Sequence, residues 1–137
     1  MKAITPRTVT FAVLLTLLAG TALAATTTQY TGKWTKKNYK ASGTWSIVQN
    51  GEQLSVKLDS KFKTKKAPDL KIFLSPKSPK QLNNKNATRG ALKVGLLKSH
   101  KGAQTLAIPA GTNLDDYASI IIHCEQYSKL WTVAAFQ

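Results

Sequence analysis

A chain of 137 residues with 20 Lys and Arg against 6 Asp and Glu carries a net charge of +14, which excludes an acidic or neutral surface and points to acidic partners. Nearly all of those cations are lysine, with Arg89 the only arginine beyond the first 24 residues; arginine supplies the bidentate contacts that read bases, so nucleic acid is not an expected partner. A single cysteine excludes a disulfide framework, so stability has to come from an apolar core.

Residues 1–24 have the form of an export signal. Lys2 and Arg7 supply positive charge, Val9 to Leu18 an apolar run, and Ala22-Leu23-Ala24 a small-x-small cleavage site. The run is too short for a membrane span. The expectation is a soluble protein of the periplasm or extracellular space, with a flexible tail over 25–29 and a single domain over 30–137.

Along the domain, Trp45 and Ile47 alternate with Thr44 and Ser46, Asn50-Gly51 interrupts, and Leu54, Val56 and Leu58 resume. Asn-Gly favours a two-residue hairpin loop because both residues tolerate positive φ. With Asn50-Gly51 as that loop, Ile47 lies opposite Leu54 and Trp45 opposite Val56. Lys61 to Lys66 continues as an edge-like stretch whose lysines discourage further strand addition. Ala67-Pro68-Asp69 breaks it, and Leu70 to Ser75 is a strand closed by Pro76. Residues 76–89, rich in Pro, Asn, Lys and Ser, read as a long surface loop.

Gly90 to Leu97 and Gln104 to Ile108 return to apolar content, and Asn113 is placed to cap one helical turn at Leu114 to Tyr117. Ser119 to Cys124 is the most apolar strand, followed by a loop at Glu125 to Lys129 and a last strand at Leu130 to Phe136. Short strands separated by turn signals, without helical periodicity, predict an all-β fold: an antiparallel β-sandwich or barrel-like sandwich.

Cys124 concentrates the chemical question, since Met1 leaves with the signal and no other sulfur remains. In an oxidising compartment an unpaired thiol is a buried small hydrophobe, an intermolecular disulfide, or a reactive or ligating group. Successive strand residues face opposite sides of a sheet, so His123 is not its proton-transfer partner. A five-residue loop over 125–129 puts Leu130 opposite Cys124 and Trp131 opposite His123. As the last strand residue before a polar loop, Cys124 is placed where its thiol can be reached at the rim.

The ordered segments Gly43 to Leu58, Ala67 to Ser75, Lys101 to Gln104, Ile108 to Leu114, Tyr117 and Ile120 to Cys124 resemble the electron-transfer DM-thirteen domain family over nearly the whole domain. The resemblance implies an extracellular β domain with a redox role, exercised through a cysteine that is a free thiol or holds a prosthetic group. On this sequence that residue is Cys124. Where many relatives have an aromatic or aliphatic residue before the cysteine, this chain has His123, so the resemblance gives the histidine no role.

The residues limit the cofactor. A blue-copper site needs two histidines, a cysteine and usually an axial methionine, and His100 and His123 are the only histidines, with no methionine after Met1. Covalent haem needs a second cysteine. Non-covalent haem on Cys124, His123 or His100 is chemically permitted, but no cofactor is required. The expected function is that of an electron-transfer accessory domain, not a stand-alone catalyst. The alternative is a non-redox module whose Lys61, Lys63, Lys65 and Lys66 bind an acidic protein or anionic envelope material.

Overall fold

The computed structural model describes Gly20 and residues 25–136. The export signal expected over 1–24 lies outside the described residues, Gly20 apart. Among the described residues eleven strands follow in order: β1 (Thr26–Lys33), β2 (Thr35–Lys36), β3 (Ala41–Ser42), β4 (Thr44–Asn50), β5 (Gln53–Leu58), β6 (Lys63–Thr64), β7 (Leu70–Ser75), β8 (Leu92–Leu96), β9 (Gln104–Ala107), β10 (Ser119–Cys124) and β11 (Lys129–Ala135). They pair antiparallel into a four-stranded sheet, β1-β4-β5-β9, a five-stranded sheet, β2-β11-β10-β7-β8, and the small pair β3-β6. The all-β expectation holds, and the two large sheets pack as an open sandwich.

The core lies between them. Trp45, Ile47, Val56, Leu58 and Leu106 come from one sheet; Ile72, Leu74, Ile120, Ile122, Cys124 and Ala134 come from the other. Each fully buried aliphatic or aromatic side chain stabilises the fold by about 1.5–3 kcal/mol relative to exposure, so this layer dominates the energetics.

The β4–β5 hairpin forms, with a different register. Asn50 pairs with Gln53, which leaves Gly51-Glu52 as the loop and sets Ile47 opposite Val56 and Trp45 opposite Leu58. Gly51 takes the positive φ, 61°, at the first loop position, as glycine does without steric cost. Because the slip is two residues long, every side chain keeps its face and the apolar layer survives.

Three further segments depart from expectation. β1 starts at Thr26, so part of the stretch expected as a tail is paired strand, with Thr26 to Thr28 opposite Asn50 to Val48. The Lys61 to Lys66 stretch is not a free edge: Thr64 and Lys63 pair with Ala41 and Ser42, and Thr64 N–H donates to His100 O at 2.9 Å. Period-two geometry turns Phe62 and Thr64 inward and leaves Lys61, Lys63, Lys65 and Lys66 exposed.

The stretch from Pro76 to Ala91 is more than a surface loop. It lays Leu82 and Ala87 over Phe73, Ile121, Leu130 and Val133 on the outer face of the five-stranded sheet. Asn84 Oδ1 fastens it by accepting from Leu130 N–H at 2.9 Å. With apolar cover on both faces, all six residues of β10 are buried, which accounts for its unbroken apolar run.

Candidate functional site

Cys124 ends β10 between Leu70 of β7 and Lys129 of β11. Its side chain joins the layer between the sheets and is 0% exposed. The thiol donates to Pro68 O at 3.1 Å, so the Ala67-Pro68-Asp69 segment roofs the end of the strand. The rim position anticipated from the sequence therefore does not expose the sulfur: a chain segment remote in sequence closes over it. Asp69 turns that segment with φ 64°, a conformation Asp adopts more readily than most residues.

The partners across β11 also differ from expectation. The loop is four residues long, Ser128 takes a positive φ of 48°, and a bulge falls between the His123↔Leu130 and Ile122↔Thr132 pairs. The extra residue is Trp131, and the bulge exchanges the expected positions. Trp131 joins Cys124 in the inner core, whereas Leu130 joins the outer layer. Trp131 Nε1–H donates to Thr64 Oγ1 at 2.9 Å, and its ring lies 3.8 Å from that of Tyr39. Lys65 and Lys129 hold their ammonium groups 5.0 Å and 5.9 Å from the Tyr39 centroid. Part of the lysine surface is thus coupled by direct contacts to the layer that holds the cysteine.

His123 sits on the opposite face, as the alternation requires. It is 3% exposed, meets the edge of Phe73 at 6.2 Å, and its Nδ1 has no hydrogen-bond partner among the described residues. Burial lowers its pKa below the ordinary 6.5, with Glu125 and Asp69 opposing the shift.

A charge clasp flanks the cysteine. Lys71 Nζ lies 2.8 Å from Asp69 Oδ1 and 2.7 Å from Glu125 Oε2, and Lys93 Nζ lies 3.0 Å from Glu125 Oε1. Asp69 belongs to the roof and Glu125 directly follows Cys124, so Lys71 ties the two together. Hydrogen bonds from Lys71 and then Lys93 lower the Glu125 pKa, and those to Asp69 and Glu125 raise that of Lys71. Pro68, Asp69 and Lys71 carry no signal of this role in the sequence. Glu125 beside the cysteine was the one available signal, because the other three are brought there by strand pairing.

A haem ligand role does not fit this arrangement. Cys124 is closed inside the core, His123 points to the other face of the sheet, and the cleft beside the roof, lined by Ala67, Asp69, Leu97 and His100, has a volume of about 220 Å³, too small for a porphyrin. Among the described residues no three His, Cys, Asp or Glu side chains converge as a metal donor set. Also among the described residues, Lys61, Lys63, Lys65 and Lys66 form no ion pair.

A family model described as Electron transfer DM13 matches residues 33–136, most of the chain and all of the site. The chain belongs to the electron transfer DM13 family. No curated protein and no solved structure matches it. As a DM13 domain it has a redox-related role at the level of the family, and its matched region runs from the end of β1 past β11.

Proposed function

We propose that Cys124 is the redox-active group of this DM13 domain and that it works as a gated thiol. The carrying observation is the roof: the chain's single thiol is sealed by a segment that holds it through one Sγ–H···O contact to Pro68 at 3.1 Å. Sulfur is a weak donor, so opening the segment sacrifices little at the thiol itself. Once exposed and ionised, Cys124 attacks a partner's disulfide. A bond forms between Sγ and one partner sulfur, the partner's S–S bond breaks, and the second partner sulfur leaves as a thiolate. With no second cysteine in the chain, the product is a mixed disulfide that an incoming thiol resolves. This chemistry belongs to an oxidising compartment, the periplasm or extracellular space, in keeping with the signal expected over 1–24.

Lys61, Lys63, Lys65 and Lys66, which form no ion pair among the described residues, support a docking role for an acidic redox partner or an anionic envelope surface, because an uncompensated field steers such partners. The Thr64–Trp131 contact puts that surface next to the cysteine layer. Incubation of the native protein with an aromatic disulfide, followed by intact mass and a visible spectrum, tests the thiol. The expected result is a colourless protein carrying one reversible mixed disulfide, absent in Cys124→Ser. An adduct formed only in denaturant sinks the proposal.

A further inference from the structure

A second cleft lies away from Cys124, where the end of β1 meets the turn after β5. Its volume is about 450 Å³, within the range of small-molecule sites, about 300–1,000 Å³. Lys33, Trp34, Thr44, Asp59, Ser60 and Lys61 line it.

Two observations give this cleft its chemistry. First, its two cations are unspent, and one lining residue carries a buried donor without a partner. Trp45 Nε1–H donates to Lys33 O and Trp131 Nε1–H to Thr64 Oγ1, but the buried Nε1–H of Trp34 has no partner among the described residues. Buried donors are ordinarily satisfied. Lys33 and Lys61 are exposed and form no ion pair among the described residues. Second, the one carboxylate is partly engaged, since Asp59 Oδ1 accepts from Lys61 N–H at 3.1 Å. Two cations against one carboxylate leave a positive balance, and Thr44 and Ser60 add hydroxyls.

We infer that this cleft binds an acidic sugar, a pyranose ring carrying a carboxylate. Such a ring has apolar C–H faces suited to an indole wall, hydroxyls that donate to Asp59 and accept from Thr44 and Ser60, and a carboxylate for Lys33 and Lys61. An inorganic anion would match the charge but leave most of the volume and the indole unused. The site is independent of the chemistry proposed for Cys124. It shares Lys61 with the lysine surface but not Lys63, Lys65 or Lys66.

The test is titration of the protein with trigalacturonate, read by calorimetry and by the Trp34 indole N–H resonance. Saturable binding that shifts this resonance is expected, with Lys33→Gln and Lys61→Gln each weakening it about tenfold, as loss of a charged hydrogen bond does, while Cys124→Ser and a Lys63→Gln/Lys65→Gln/Lys66→Gln variant bind as the parent does. Absence of saturable binding overturns the inference. So does equal binding of neutral maltotriose, or equal weakening by the triple variant, which would reduce the effect to general attraction by the lysine field.

Discussion

Lys71 on β7 bonds to Glu125, the residue after Cys124, at 2.7 Å, and the same ammonium reaches Asp69 in the roof at 2.8 Å. One lysine thereby holds the cover over the sulfur to the strand end that carries it. Exposed ion pairs contribute little to global stability, but this one closes a local segment, and its effect belongs to local opening. Lys71→Gln is expected to lower the melting temperature by no more than a few degrees while raising the rate of Cys124 labelling in native buffer severalfold, as measured by stopped labelling and intact mass.

Two pH windows follow from the same region. The folded pKa of His123 is below 6.5, so in the interval beneath 6.5 the unfolded chain binds the proton more readily and stability falls as pH falls, by at most about 1.4 kcal/mol per pH unit. The Glu125 pKa is also depressed, from 4.5, so its contribution is present above that value and lost as pH drops further. Denaturant titrations across pH 4 to 7 should show the first loss in the parent and not in His123→Phe, which also removes the unpartnered Nδ1.

Leu82 lies in what the sequence presents as a polar loop, yet it is 3% exposed and packs with Ile121 and Val133. Leu82→Ala is expected to cost about 2–4 kcal/mol, in the range of core truncations, whereas exposed Lys80→Ala on the same segment should change stability by less than about 0.5 kcal/mol. Urea unfolding of the pair separates a packed cover from a passive loop.

Gly43 and Gly51 both have positive φ, 83° and 61°, but a Cβ at Gly43 would meet Asp59 Oδ1 at 2.5 Å and Phe62 N at 2.7 Å, while one at Gly51 meets nothing within 4 Å. Gly51→Ala carries only the conformational cost, about 1 kcal/mol. Gly43→Ala should cost clearly more, because backbone has to move, and equilibrium unfolding of both variants checks the order.

Much of this was legible in the sequence. β7 and β10 fall where Pro76 and the apolar run placed them, and Asn113 caps its short turn, its Oδ1 accepting from Asp115 N–H at 3.1 Å. Local turn chemistry and period-two alternation carry that information. The rest depends on contacts between distant segments. Hairpin register turned on which loop pair formed, and either choice preserves the faces of Trp45 and Ile47. The bulge at Trp131 has no period to announce it. Leu82 over Ile121 and Pro68 over Cys124 join segments far apart in the chain, so the sulfur looked reachable until its roof was in place.

The central claim is that Cys124 is exposed by local opening of the Ala67-Pro68-Asp69 roof. The most direct measurement is the native-state labelling rate of Cys124 as a function of urea below the unfolding transition. A nearly flat dependence is predicted, because opening one short segment exposes little surface, with the rate raised severalfold in Lys71→Gln. A dependence as steep as that of global unfolding, unchanged by Lys71→Gln, would contradict the claim and leave Cys124 as a core residue.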